Sequence, residues 1–181
     1  MKRLVALSAI GQDHPGIVAA LSKVLFEKNC NLEDSSMTRL NDDFAVLLLV
    51  ALPKGLELEN LRSAMEKVTT GLGLTLSLRE LSSAPNGSVS MNSLAYTLVV
   101  YGMDHPGIVY RISQCAADYK VNIVDLRTHV TNTPDSSLYS MAMELEIPNA
   151  TVVGHFLEKL NLLKKELKVD LTLNPSETDE L

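Results

Sequence analysis

An internal repeat constrains the fold of this chain more than any other feature. The segment Gly11-Gln12-Asp13-His14-Pro15-Gly16-Ile17-Val18 returns as Gly102-Met103-Asp104-His105-Pro106-Gly107-Ile108-Val109. The same offset separates Asn31 from Asn122, so it holds across a loop, a helix and the start of the next strand. A repeat that keeps its offset over several elements sets the architecture. The chain is therefore expected to be a duplicated domain.

The repeated loop has the residues of a helix start. We expect Asp13 or His14 to cap the helix and Pro15 to take its first position. Gly16 has no side chain, so a ligand can approach the first free amides of the helix. These amides and the positive end of the helix dipole suit a carboxylate or a phosphate. The alternative is a loop that only caps its helix; the second intact copy, with an asparagine at matched spacing, favours a binding site.

Hydrophobic periodicity predicts the same element order in both halves. In the first half, strands are expected at 4–10, 32–40, 44–52 and 74–78, with a helix after the first and third of them. The order β-α-β-β-α-β is the ferredoxin-like unit, an α+β fold whose antiparallel sheet has helices on one face. We expect a first domain at 1–81, a polar linker at 82–93, a second domain at 94–173 and a disordered acidic tail at 174–181.

Composition excludes several classes of function. A formal net charge of −6 and a pI near 5.2 argue against direct binding of nucleic acid, which needs a clustered positive surface. No apolar run reaches membrane-spanning length, and the first apolar stretch ends too early for a signal peptide. Cys30 and Cys115 are too few for a disulfide framework. The cytoplasm is the expected compartment.

Catalysis and metal binding are alternatives with little support in the sequence. The Gly-rich, Arg-bearing phosphate loop that acyl-phosphate hydrolysis would need is missing, and His14 and His105 have no obvious nucleophile beside them in the chain. The chain has four His and two Cys, and none of them forms a short pair with metal-ligand spacing. We therefore predict no catalytic residues, no metal and no cofactor. A small hydrolase, a metal-binding protein and an interaction module with empty sites stay open as alternatives.

The repeated Asp-x-Pro-Gly-Ile-Val motif, within β-α-β-β-α-β, resembles the ACT domain family over nearly the whole chain. Within that family, Leu7 to Val18 and Asn29 to Ser35 look like the tandem-ACT repressors of the glycine cleavage system. The resemblance implies a non-enzymatic regulator that binds a small amino acid, with glycine or serine as the guess, and that acts on a protein partner. The site residues it implies are Asp13, His14, Pro15, Gly16, Ile17 and Asn31 in the first unit and Asp104, His105, Pro106, Gly107, Ile108 and Asn122 in the second.

Two expectations concern assembly. Asn31 and Asn122 start the strands that ACT-like pairs join, so we expect the units to pair through strands and to share their sites. The strand at 44–52 is apolar on both faces, whereas Glu144 and Glu146 make one face of its counterpart polar. Because helices cover only one face of a sheet, the second apolar face of the first unit predicts an interface, and we expect a homo-oligomer, most simply a homodimer, or a complex with a protein partner.

Overall fold

The computed structural model describes residues 3–81, 93–132 and 137–176. Contacts between Cα atoms divide the chain into two compact units, Met1–Gly87 and Ser88–Leu181. Residues 82–92 of the expected linker and residues 177–181 of the expected tail lie outside the described residues, as does the turn at 133–136.

The first unit forms a four-stranded antiparallel sheet in the order β2-β3-β1-β4. Its elements are β1 (Arg3–Gln12), α1 (Ile17–Glu27), β2 (Asn31–Leu40), β3 (Asp43–Leu52), α2 (Leu58–Gly71) and β4 (Thr75–Glu80). Period-two alternation places Val5, Leu7 and Ala9 of β1 in the core, where each is 0% exposed. Leu21 of α1 and Leu61 of α2 belong to the same core cluster, so both helices cover this face of the sheet.

The second unit repeats this architecture, with its strands in the order β6-β7-β5-β8. Its elements are β5 (Leu94–Met103), α3 (Ile108–Asp118), β6 (Asn122–Asn132), β7 (Ser137–Ile147), α4 (Ala150–Leu167) and β8 (Val169–Pro175). The last strand continues to Pro175 instead of ending at Leu173, because Asn174 pairs with Thr97 and Pro175 pairs with Tyr96. The predicted pair of ferredoxin-like units is confirmed.

Each unit has an edge strand with a bulge that the sequence pattern did not reveal. In β2 the register shifts between Leu32 and Asp34, and in β6 it shifts between Ile123 and Asp125. A bulge adds one residue to one strand and reverses the alternation beyond it. After the shift, Asp34 pairs with Leu49 and therefore lies on the face away from the helices.

Candidate functional site

The two repeated loops have the same backbone conformation. Gly16 is the N-cap of α1 with φ 99° and ψ −10°, and Gly107 is the N-cap of α3 with φ 104° and ψ −11°. The prediction that Asp13 or His14 caps the first helix and that Pro15 begins it was wrong, since α1 begins at Ile17. A left-handed backbone at the N-cap favours glycine, which explains its place in both copies.

The histidine of each loop binds two backbone carbonyls. His14 Nδ1 lies 3.2 Å from the Pro15 oxygen, and its Nε2 lies 3.4 Å from the Leu72 oxygen. In the second unit, His105 Nδ1 lies 3.1 Å from the Pro106 oxygen and its Nε2 lies 2.9 Å from the Leu167 oxygen. Each ring therefore links its loop to the end of the second helix of the same unit, which fixes the loop.

These carbonyls favour the protonated ring of His105. A neutral imidazole has one N–H, so it donates to only one of two carbonyls, whereas the imidazolium donates to both. The hydrogen bond to Leu167 raises the pKa of His105 most, followed by that to Pro106; burial opposes the rise, and the Asp104 carboxylate adds to it.

The stability of the second unit should therefore depend on pH through His105. A raised folded-state pKa gives stability that is complete below the unfolded value of about 6.5 and is lost as the pH rises through the folded value. We expect the loss of stability in His105→Gln, measured by thermal unfolding, to be largest near pH 6 and to shrink toward pH 8. His155→Gln, on the exposed side of α4, is the control and should keep the wild-type pH profile. A His105→Gln deficit of constant size across this range would contradict the prediction.

The aspartate of each loop is tied to the neighbouring hairpin. The backbone amide of Asp13 donates to the backbone carbonyl oxygen of Asp42 at 2.8 Å. The Oδ2 atom of Asp13 lies 3.2 Å from Arg39 Nε. The Asp104 amide donates to the Ser137 oxygen at 3.0 Å. Because the Asp13 carboxylate faces the Arg39 guanidinium, it holds the loop against the hairpin and does not cap α1.

The loops leave the start of each helix accessible. The Ala20 amide donates to the Gly16 oxygen at 2.9 Å, and the Arg111 amide donates to the Gly107 oxygen at 2.9 Å. The amides that precede Ala20 have no carbonyl one turn earlier in the helix and are left for caps, water or ligands. A Cβ built on Gly16 or Gly107 would meet nothing within 4 Å. This arrangement suits an anion with two or three acceptor oxygens.

The two asparagines lie away from the loop of their own unit. Asn31 pairs with Ala51, which pairs with Leu4, so Asn31 lies at the end of the sheet where β1 begins. The loop follows Gln12 at the other end, about 25 Å away at the rise of a β-strand. Asn122, through Glu146 and Ala95, takes the same place in the second sheet. One unit therefore does not bring its own loop and asparagine together.

Both asparagine side chains are exposed and bind a glutamate. Asn31 Nδ2 donates to Glu33 Oε1 at 2.5 Å, and Asn122 Nδ2 donates to Glu146 Oε2 at 3.0 Å. Each amide nitrogen has further donor capacity, and each amide oxygen can accept hydrogen bonds. The side chains are therefore held in place and can still bind a ligand.

A small apolar cavity lies between α1 and the edge of the first sheet. Its volume is about 110 Å³, and it is lined by Val18, Leu21, Ser22, Leu32, Ser35, Met37, Val46 and Leu48. Val18 belongs to the first turn of α1, so one wall of the cavity begins beside the accessible amides. Met37 and Ser35 are not among the predicted site residues, since only the register after the bulge places them on the helix side.

One difference between the cores of the two units is a buried hydroxyl in the second. Phe44 pairs with Gly11, and Tyr139 takes the same place opposite Gly102. Within the described residues, the Tyr139 hydroxyl is buried without a hydrogen-bond partner. Burial raises its pKa, and the Asp104 carboxylate raises it further. The two loops therefore adjoin cores of different polarity.

Within residues 3–81, 93–132 and 137–176, no three His, Cys, Asp or Glu side chains come together as metal ligands. In the same residues, no helix is long and apolar enough to cross a membrane. Burial raises the pKa of Cys115 to about 11, so this thiol stays protonated near neutral pH.

Comparisons with known proteins agree on the domain type. The sequence profile of the ACT domain matches residues 3–79 and 97–174. A UPF0237 protein of Methanopyrus kandleri is 44% identical over 69 residues, which are 38% of this chain and 77% of that protein. A UPF0237 protein of Methanocaldococcus jannaschii is 41% identical over 71 residues, which are 39% of this chain and 79% of that protein.

Two solved structures resemble the whole chain. An unknown protein from Galdieria sulphuraria is 29% identical, with a TM-score of 0.86 over 97% of this chain and 99% of that one. A candidate glycine cleavage system transcriptional repressor is 18% identical, with a TM-score of 0.69 over 96% of this chain and 97% of that one. At 18% identity, the second likeness concerns the fold alone.

Proposed function

The chain belongs to the ACT domain family, and on this premise we propose that it is a non-enzymatic regulator that binds a small amino acid and acts on a protein partner. The observation that carries the proposal is the pair of matching helix starts. Each has a left-handed glycine at its N-cap, and a Cβ built on that glycine would meet nothing within 4 Å. An amino acid carries a carboxylate that suits these donors.

The asparagines would supply the second half of a site. An asparagine side chain can donate to a carboxylate and accept from an ammonium group, so it can bind both ends of a zwitterion. Because the loop and the asparagine of one unit lie at opposite ends of its sheet, a ligand that contacts both must take them from different ACT units. We therefore propose that the Asp13–Ile17 loop works with Asn122, and the Asp104–Ile108 loop with Asn31, in one chain or between two.

The size of the loop and of the cavity supports a small ligand. Gly16 and Gly107 let a ligand approach the backbone closely. The cavity next to α1, with a volume of about 110 Å³, is too small for an amino acid with a large side chain. Glycine and serine are the proposed ligands. Pairing of the two units through their strands, which would complete the shared sites, stays a prediction, as does a cytoplasmic location.

The proposed regulation acts through a protein. The net charge of −6 disfavours direct contact with DNA, so control of transcription would need a DNA-binding or enzymatic partner. Repression of glycine cleavage genes is the proposed specific role, and its support is the resemblance of the segments 7–18 and 29–35 to the tandem-ACT repressors of that system. Cys115 is disfavoured as a nucleophile, since burial raises the pKa of its thiol to about 11.

Isothermal titration of the full chain with each of the twenty amino acids tests the proposal. We expect saturable heat with glycine, serine or both, and little with large side chains. The ligand should also raise the unfolding temperature, because it binds the folded state. Absence of binding heat with every amino acid would reject the sensing function.

Replacing each asparagine should weaken binding and leave the fold intact. A lost hydrogen bond to a charged ligand group is worth about 1.5–3 kcal/mol, or roughly tenfold to a hundredfold in affinity. We expect Asn31→Ala and Asn122→Ala each to show this loss at one class of site in the titration. Asn60→Ala, on the exposed face of α2, is the matched control. Unchanged affinity in folded Asn31→Ala and Asn122→Ala would assign the asparagines a structural role only.

A further inference from the structure

The face of the first sheet away from its helices, here called the open face, has an apolar centre. Its central residues are Leu4, Ala6, Ser8 and Ile10 of β1 and Ala45, Leu47, Leu49 and Ala51 of β3, which alternate with residues of the core cluster. Ile10 and Leu47 are each 55% exposed, whereas Ala51, at the end of the face, is 6% exposed. An apolar centre of this kind on a regular sheet suits packing against another sheet.

The side chains of the open face follow a size rule. Every cross-strand pair joins one large residue with one small residue: Leu4 with Ala51, Leu49 with Ala6, Leu47 with Ser8, and Ile10 with Ala45. The large residue lies on β1 in the outer two pairs and on β3 in the inner two. In every row of the face, a large side chain projects on one side of the line between β1 and β3, and a small side chain leaves a recess on the other side.

We propose that two copies of the chain pack these open faces together about a two-fold axis that runs parallel to the strands, between β1 and β3. This rotation places β1 of one copy over β3 of the other and keeps every row in register. Leu47 then lies over Ser8 of the partner subunit, and Leu49 lies over Ala6 of the partner subunit. Side chains of two packed sheets interdigitate in this way.

The other two-fold axis in the plane of the face gives a poor fit. An axis perpendicular to the strands would place Leu4 over Ile10 of the partner subunit and Leu47 over Leu49 of the partner subunit. Large residues would meet large ones, and Ala6 would leave a gap above Ser8 of the partner subunit. Gaps and collisions both weaken an interface, so the size rule selects the parallel axis.

The flanking strands are complementary about the same axis. Asp34 on β2 and Arg79 on β4 lie in one row, with Leu49 and Ala6 between them. The rotation brings Asp34 to Arg79 of the partner subunit at both edges of the interface. In the next two rows, the rotation brings Ser36 to Ser77 of the partner subunit and Thr38 to Thr75 of the partner subunit.

The corresponding face of the second unit does not fit this role. Its rows contain Asp125, Glu144 and Glu146, and Asp170 lies beside Tyr101. Arg127 Nε binds Asp125 at 2.9 Å and Lys164 Nζ binds Asp170 at 2.8 Å, so the excess of negative charge comes from Glu144 and Glu146. Burial of these carboxylates against each other or against leucines would be unfavourable. The first unit's open face therefore pairs with its own copy, an isologous contact that is independent of ligand binding.

Charge reversal tests the axis. Asp34 and Arg79 lie three strand spacings apart in one sheet, about 14 Å, so they interact only weakly within a chain. Asp34→Arg alone places two arginines at each edge of the dimer, and Arg79→Asp alone places two aspartates there. We expect each single variant to raise the dimer dissociation constant at least tenfold, and the double variant to restore it.

Mixing the two single variants gives the decisive measurement. A chain with Asp34→Arg and a chain with Arg79→Asp form opposite charges at both edges, so native mass spectrometry should show the heterodimer and little of either homodimer. Asp125→Arg in the second unit is the control and should leave the wild-type dimer unchanged. Circular dichroism of each variant checks that it is folded; Asp34 and Arg79 are exposed, and Asp125 is half-buried. A monomeric wild type at tens of micromolar, single variants that dimerise like the wild type, or a mixture without heterodimer would each overturn the proposal.

Discussion

Leu48→Lys is expected to unfold the first unit and to leave the second unit folded. Leu48 is 7% exposed and belongs to the core cluster that β3 forms with α1 and α2. Loss of its apolar contacts and burial of an ammonium group together should remove at least about 4 kcal/mol. A domain is stable by only about 5–15 kcal/mol, so this loss is large enough to unfold a small unit. Each unit has its own core, so thermal unfolding of Leu48→Lys should still show the transition of the second unit.

Leu47→Lys is the matched control, one residue away on the other face of the same strand. Leu47 is 55% exposed, so a lysine there reaches water and the fold should survive. The same change places a charge in the proposed dimer contact, and sedimentation should show a monomer. If both variants unfold and the wild type sediments as a monomer at micromolar concentration, the open face is closed within the chain and the homodimer prediction is wrong.

Alternation of apolar residues predicted the buried face of β7, but it left the buried face of β3 open because both faces of that strand are apolar. In β7 the alternating Met141, Met143 and Leu145 are buried, while Glu144 is exposed. The same reasoning predicted four helices and eight strands, because a period of two and a period of 3.6 are distinct over these lengths. The family resemblance and the resulting fold were accessible from the sequence for this reason.

The local geometry of the loop was not accessible in the same way. Asp13 is a common N-cap residue, and the sequence favoured it. In the structure, its carboxylate faces Arg39 from the end of β2, a contact that depends on the tertiary fold. Gly16 takes the N-cap with a positive φ, an arrangement that the local sequence did not predict.

The matched spacing of Asn31 and Asn122 also did not reveal that each lies far from the loop of its own unit. Asn31 follows α1, a helix of 11 residues, so it begins β2 at the end of the sheet away from the loop. The offset shared by Asn31 and Asn122 reported the duplication correctly but did not place either residue beside its own loop. Similarly, the size rule of the open face depends on the pairing of β1 with β3, which are not consecutive strands, and no periodicity of one strand contains that register.

The second large effect is expected from Gly16→Val. Valine at this position must adopt the left-handed backbone of Gly16, with φ 99°, which should cost about 1–3 kcal/mol of stability. Its side chain would also fill the open space in front of the first amides of α1. If these amides bind the ligand carboxylate, binding at this loop should no longer be detectable by titration.

The Gly16→Val variant combines backbone strain with a blocked approach of the ligand, and Gly55→Val is the control that carries the strain alone. Gly55 has φ 83°, and a Cβ there would also meet nothing within 4 Å. It lies in the connection between β3 and α2, outside both repeated loops. Gly55→Val should therefore lower the unfolding temperature about as much as Gly16→Val but leave amino-acid binding unchanged. Equal binding in the two folded variants would place the ligand away from the start of α1, and the proposed site would then be wrong.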